Sequence, residues 1–375
     1  MECKFLDHGL AISYDQVARP CCYWKSDSEW KQVHHISKID LTNWHQHPDL
    51  VDKHNQLKAN QWPENCKECR RDEEAGRVDS GRGNSNIAYG HYQSDEITLE
   101  IRPGSVCNFA CQTCWPVASS RVAQYHSQAG LIDIKNLNSQ SIDNFDFLLP
   151  IAGRIKNVVL LGGEPFYDKS CRKFLTWAKE HLQSELIMFT NGSDVDFKFL
   201  QSYQGKITLV FSLDAVGKPA EYVRYGTVWQ DVWNNYQRAK KIVNVRVNIT
   251  CSVYNYSYIA DLINLLADDW PEVVSFGTPF EEHFSVGVIP VELRSDVINS
   301  LLTAVDRVAQ ANIEPNQKSN AVNALNSIIA NLKTQDWNQQ SHRQWCDFVT
   351  AMDRVKQLSI TDYCPELAKI LEYVD

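Results

Sequence analysis

From residue 96 onward, short apolar runs alternate with longer segments of helical spacing, and this alternation limits the possible folds more than any other feature. The candidate strands are "EITLEIR" (96–102), "NVVLLGG" (157–163), "ELIMFTN" (185–191), "KITLVFSLD" (206–214), "NVRVNITCS" (244–252) and "FSVGVI" (284–289). Between them lie segments such as "KSCRKFLTWAKEHL" and "VWQDVWNNYQRAKKIV", whose apolar residues recur three and four apart. Strand and helix in turn predict βα units and a parallel sheet. Six such units suit a doubly wound sheet or an open barrel. In either, functional residues belong at the C-terminal ends of the strands. After "GVIP" the β signal stops. "RSDVINSLLTAVDRVAQA" and "NAVNALNSIIANLKT" predict helices, with Ser295 or Asp296 as an N-cap, and "DYCPELAKILEYVD" predicts a last helix after Pro365.

Residues 1–95 are different. They are polar, weakly periodic and rich in His and Trp, and "RVDSGRGNSN" reads as a linker or turn. A segment this polar folds poorly without a staple, and a metal site can supply one. The expected organisation is therefore an N-terminal metal-binding extension (1–95), an α/β core (96–290) and a C-terminal helical region (291–375).

The net charge of -9 argues against a nucleic-acid partner, because phosphate binding usually leaves a basic face. The first residues, "MECKFLDHGL", do not read as a signal peptide, and no apolar run is long enough to span a membrane. The chain reads as cytoplasmic. Twelve cysteines are many for a compartment that keeps thiols reduced, so ligation explains the clustered ones better than disulfides do.

"VCNFACQTCW" holds Cys107, Cys111 and Cys114 in C-x3-C-x2-C spacing, directly after the first candidate strand. Thiolates are soft ligands for zinc or iron–sulfur clusters. A structural zinc site usually has four protein ligands. Three can instead hold three irons of a four-iron cluster and leave the fourth open. The plainer alternative is a zinc loop completed by a distant Cys or His.

The loop, its place, and "LLGGEPFY" after the second candidate strand resemble the radical SAM superfamily. That resemblance implies a partial (β/α)6 TIM-like barrel. It implies a [4Fe-4S] cluster on Cys107, Cys111 and Cys114, with S-adenosylmethionine on the fourth iron. Gly162, Gly163, Glu164 and Pro165 match the GGEP motif and would line the amino end of S-adenosylmethionine. "FTNG" places Asn191 at the mouth of the cavity. "FSLDAVGKPAEYVRYG" resembles the strand-four stretch of such enzymes, where Ser212 and Asp214 would bond the ribose and Arg224 would pair with the carboxylate. Asn248 or Thr250 of "NITCSVYN" would add polar contacts, and Cys251 reads as a core thiol. The chain departs from the family at Thr113, where an aromatic often precedes the third cysteine. Trp115 or Phe109 would then serve adenine. The activity implied is reductive cleavage of S-adenosylmethionine to a 5′-deoxyadenosyl radical that abstracts hydrogen from a substrate, with a one-electron reductant such as flavodoxin or ferredoxin as partner. The catalytic residues and the oxidoreductase or epimerase outcome stay open.

Cys3, "DQVARPCC" (15–22) and "WPENCKEC" (62–69) resemble the auxiliary-cluster (twitch or SPASM) modules of these enzymes, here ahead of the barrel. Cys3, Cys21, Cys66 and Cys69 make a full ligand set for a second [4Fe-4S] cluster, with Cys22 competing with Cys21. The alternative is a zinc site helped by His34, His35, His45, His47 and His54. Trp24, Trp30, Trp44 and Trp62 read as packing around that site. Cys171, Cys346 and Cys364 read as packed thiols. A peptide is the first substrate class implied and a small metabolite or nucleotide the second. The competing function is a non-catalytic iron–sulfur or zinc protein that senses redox state or S-adenosylmethionine.

Overall fold

Ten strands are present among the described residues: β1 (Gly9–Ile12), β2 (Ala18–Arg19), β3 (Ile97–Ile101), β4 (Ala110–Cys111), β5 (Ile155–Leu160), β6 (Glu185–Thr190), β7 (Ile207–Ser212), β8 (Arg224–Tyr225), β9 (Asn244–Thr250) and β10 (Val273–Gly277). The computed structural model describes residues 1–74, 80–83, 91–93, 95–279 and 281–373. Of "RVDSGRGNSN" (77–86), only 80–83 lie within the described residues. The fold is α/β and mostly parallel, with the strand–helix order of a partial TIM-like barrel.

Packing divides the chain into two compact units. Neither is continuous in sequence. The first comprises Met1–Ser105, Asn138–Met188 and Ser202–Ile207. Its strands run in the order β2-β1-β3-β5-β6. β1 is parallel to β3, β3 to β5 and β5 to β6, and only β2 is antiparallel. β1 was not legible as a strand: "GLAI" is four residues long and buried throughout, so it shows no alternation. It gives the otherwise polar N-terminal segment a place in the sheet. Helix Lys169–His181 follows β5, and Asp168 caps it by accepting from the amides of Ser170 and Cys171. Its buried Cys171, Phe174, Leu175 and Ala178 form one stripe at helical spacing.

The second unit comprises Val106–Leu137, Phe189–Gln201 and Thr208–Asp375. β7, β9 and β10 are parallel neighbours. β7 is buried along five consecutive residues, as a strand covered on both faces should be. β4 and β8 form a separate antiparallel pair. Helices Arg294–Gln310 and Pro315–Thr334 pack together, burying Val297, Leu301, Ala304 and Val308 on one and Ala321, Leu325, Ile329 and Leu332 on the other. No helix of the described residues is long and apolar enough to cross a membrane.

Two expectations fail. The sixth strand is Val273–Gly277, not 284–289. "FSVGVI" instead makes short 3-10 turns at Glu282–Phe284 and Val286–Val288. It is apolar because it is buried, and a short buried run cannot be told from a strand by periodicity, while Gly287 and Pro290 weaken it as one. The helix Arg294–Gln310 begins earlier than Ser295 or Asp296 would set it, with Leu293 at the N-cap and no side-chain cap. Pro365 opens the last helix, Pro365–Leu371, as expected.

Candidate functional site

The second unit holds the C-x3-C-x2-C loop. Cys111 lies in β4, opposite Arg224 of β8. The Cys114 amide donates to the Cys111 carbonyl at 3.3 Å, closing a tight turn that keeps the two thiols together. The Phe109 amide is directed at the Cys107 Sγ at 3.4 Å, and Asn191 Nδ2 at the same sulfur at 3.8 Å. Asn191 Nδ2 also donates to Asn108 Oδ1 at 2.9 Å, and its Oδ1 accepts from the Ser193 amide and hydroxyl. The expected Asn191 thus holds the cysteine loop. Gly226 serves the same loop from below. It adopts φ 107°, and a Cβ there would lie 3.0 Å from the Asn108 carbonyl.

Two cations serve the loop. Arg224 Nη1 donates to Asp214 Oδ2 at 2.8 Å, and Asp214 is itself buried, its Oδ1 accepting from the Thr250 amide at 2.7 Å. Arg224 and Asp214 are therefore engaged with each other. The Arg224 Nε is buried and makes no hydrogen bond. Lys356, the last residue of helix Gln339–Lys356, donates from Nζ to the Ala110 carbonyl at 2.9 Å and to Gln112 Oε1 at 3.0 Å. Burial pushes the Cys111 thiol up, with Arg224 and Lys356 pulling it down. Burial and the two neighbouring cysteines push Cys114 up as well. Thiols in this position become thiolates when a cation shares the site.

Ser212 ends β7 and is registered with Asn248 of β9. Asn248 Oδ1 accepts from the Ser275 hydroxyl at 3.0 Å. Asn255 was not singled out by the sequence, yet it is fully buried and donates from Nδ2 to the carbonyls of Asp214 and Thr250. Phe109 is buried, whereas Trp115 is exposed. Cys251 and Cys364 are buried, as read.

The GGEP turn belongs to the first unit, two residues beyond β5. A Cβ on Gly162 would lie 2.8 Å from the Gly104 carbonyl and 3.0 Å from the Cys171 Sγ. The Gly163 amide donates to that same carbonyl at 3.1 Å. Glu164 and Pro165 are buried, and the Glu164 carbonyl accepts from the Asp168 amide at 2.8 Å. The turn is thus fixed from behind, and its two glycines leave backbone within reach of solvent.

The first unit also gathers the N-terminal thiols. Cys3, Cys21, Cys66 and Cys69 line one cavity with Trp24, Trp62 and Arg82. Cys66 ends the turn Glu64–Cys66, and Cys69 lies three residues on in helix Lys67–Glu74, so both face one side. Cys22 does not line this cavity. It is exposed, and it lies close enough to feel the charges of Glu100 and Arg102. Arg82, held by Glu73, brings a positive charge to Cys3 and Cys69. Four soft ligands, a cation and an apolar wall suit a bound metal group. Trp24 and Trp62 pack at this site as expected, while Trp30 and Trp44 pack on His34.

No family model matches the sequence, and no curated protein matches it. Solved structures do. One titled "Native anSMEcpe with bound AdoMet" is 16% identical with a TM-score of 0.42, covering 56% of this chain and 60% of that one. SuiB of Streptococcus suis, bound to S-adenosylmethionine, is 15% identical with a TM-score of 0.37, over 74% of this chain and 63% of that one. TYW1 with a lysine-pyruvate adduct is 13% identical with a TM-score of 0.38, over 72% and 94%. The chain thus spans about 60% of the length of the first two. These are likenesses of fold alone. The reading of the site rests on its own residues.

Proposed function

We propose that the chain is a radical SAM enzyme with a second, closed metal centre. The observation that supports this most is the loop of Cys107, Cys111 and Cys114, backed by Arg224 and Lys356 and faced by Asn191. Three sulfurs suit a [4Fe-4S] cluster with one open iron, and hydrogen bonds to sulfur tune such clusters. Cys107, Cys111 and Cys114 would hold this group, which with S-adenosylmethionine bound would supply radical chemistry for hydrogen abstraction from a substrate. The chain's residues bind and orient. The Arg224 Nε is the buried donor left for the carboxylate of S-adenosylmethionine, while Asp214 keeps the guanidinium in place. Ser212 offers its hydroxyl to the ribose, Asp214 is turned to Arg224 and the Thr250 amide instead, and Asn248 adds a further polar contact. Gly162, Gly163, Glu164 and Pro165 offer backbone acceptors to the ammonium.

Residues 1–95 form the auxiliary module in this reading, with Cys3, Cys21, Cys66 and Cys69 on a second [4Fe-4S] cluster. Residues 96–290 form the core and 291–375 the helical region. A peptide is the substrate class assigned, and flavodoxin or ferredoxin the reductant.

The test is low-temperature EPR of anaerobically reconstituted, dithionite-reduced protein, with and without S-adenosylmethionine. One signal should change with S-adenosylmethionine and a second should not. Cys111→Ala should remove the responsive signal and all reductive cleavage, and leave the other. An iron–sulfur signal indifferent to S-adenosylmethionine would move the non-catalytic sensor ahead.

A further inference from the structure

His34, His47 and Asp49 lie in the first unit and belong to neither thiol set. One ligand atom from each falls within 4.8 Å of the others. His34 is completely buried. Its Nδ1 lies 3.0 Å from the Trp30 carbonyl, and a carbonyl can only accept, so this nitrogen carries the proton. Nε2 then presents a lone pair. It is buried, makes no hydrogen bond, and sits 3.3 Å from Asp49 Oδ2. Two acceptors facing each other at this distance repel, and a buried nitrogen without a partner is costly.

We propose that His34, His47 and Asp49 bind one divalent transition-metal ion of the zinc class. Zinc bonds to nitrogen and carboxylate oxygen are about 2.0–2.1 Å, which puts tetrahedral neighbours about 3.3 Å apart, the His34–Asp49 separation. His47 Nδ1 is 3.7 Å from the same carboxylate oxygen. It also accepts from the Asp49 amide in a long 3.4 Å bond, which a ligating ring would give up.

The surroundings are those of a held ligand. The Trp30 carbonyl also accepts the His34 amide, so the C-terminus of helix Ser28–Val33 fixes both tautomer and ring. Trp30 stacks on the His34 ring at 3.8 Å and 15°. His47 is the N-cap of helix Pro48–Lys58 and Asp49 is in its first turn, so one helix start presents both. The Asp49 side chain is 48% exposed, which leaves an entry path and a fourth position for water. Two histidines, a carboxylate and an open position make a three-ligand site, and three protein ligands plus water is a common zinc arrangement. The inference is independent of the radical SAM reading.

The test uses full-length protein with its iron–sulfur groups reconstituted, so that the thiols are occupied. Zinc is added, dialysed and counted, and the zinc-edge X-ray absorption is recorded. The native chain should retain one zinc with a nitrogen and oxygen shell near about 2.0–2.1 Å. Asp49→Asn, on the exposed side and expected to fold, should weaken zinc binding at least about tenfold, and so should His47→Gln. Native-like circular dichroism of both variants makes the loss specific. No retained zinc, a shell of sulfur alone near about 2.3 Å, or equal retention by both variants would overturn the proposal.

Discussion

Arg224 occupies a position where small changes separate roles. Its Nη1 is committed to Asp214 and its Nε is buried and unbonded. Lysine keeps the charge but loses the fork, so it cannot hold Asp214 and reach a ligand carboxylate together. Arg224→Lys should fold, and should weaken S-adenosylmethionine binding by at least about tenfold in equilibrium dialysis. Arg224→Met takes away the ion-pair partner of the buried Asp214 carboxylate and should cost about 3–5 kcal/mol in urea unfolding. Arg224→Met/Asp214→Asn should recover most of that stability without recovering binding. If Arg224→Lys binds S-adenosylmethionine as the native chain does, Nε has no ligand to serve. The sequence named Arg224, Asp214 and Asn191 through the resemblance to radical SAM enzymes. It could not show that the first two pair with each other, since each also has an independent reading as a ligand contact. Nor could it choose between Cys21 and Cys22. The two lie side by side in the bend and turn that follow β2, and only the fold shows that Cys21 lines the cavity and Cys22 is exposed.

Elements were legible where their period was clean. Five of the six expected core strands lie close to their expected places, and helices 169–181, 229–239, 294–310 and 315–334 follow their apolar spacing. What failed was short and buried: "GLAI" had too few residues to alternate, and "FSVGVI" was apolar without being extended. Lys356 was beyond reach for another reason. It meets the cysteine loop across more than 240 residues, and nothing local marks a helix-end lysine as buried. The packing of helix Ser120–Gln128 on helix Gln339–Lys356 has a pH consequence of its own. His126 sits edge-on to Phe348, and burial, with Lys356 and His283 adding like charge, pushes it down to about 4. A histidine depressed in the folded state adds stability above its unfolded value of about 6.5, and that stability is lost as pH falls toward about 4. Between pH 6.5 and 5 the loss should be about 1 kcal/mol, allowing for solvent at its partly exposed edge. His126→Phe should flatten urea midpoints across this window. An unchanged slope would mean that His126 is not the group titrating.

The two units face the same problem, since each carries thiols whose burial disfavours the thiolate form. A bound metal group relieves this and couples occupancy to folding. The effect should be unequal. The second unit has long apolar stripes of its own in helices Arg294–Gln310 and Pro315–Thr334. The N-terminal part of the first has short elements, such as Glu64–Cys66 and Lys67–Glu74, in which Cys69 is the one buried residue. Such elements hold only while their thiols are held. Cys66→Ser/Cys69→Ser should therefore raise amide exchange in residues 64–74 by at least about tenfold, by removing the local barrier to opening. Exchange in helices 294–310 and 315–334 should not change. Undisturbed protection in 64–74 would mean that the cavity thiols are packed side chains and that the N-terminal segment folds without a metal. Loss of protection in 294–334 as well would mean that the chain unfolds as one body and that the thiols staple more than their own neighbourhood.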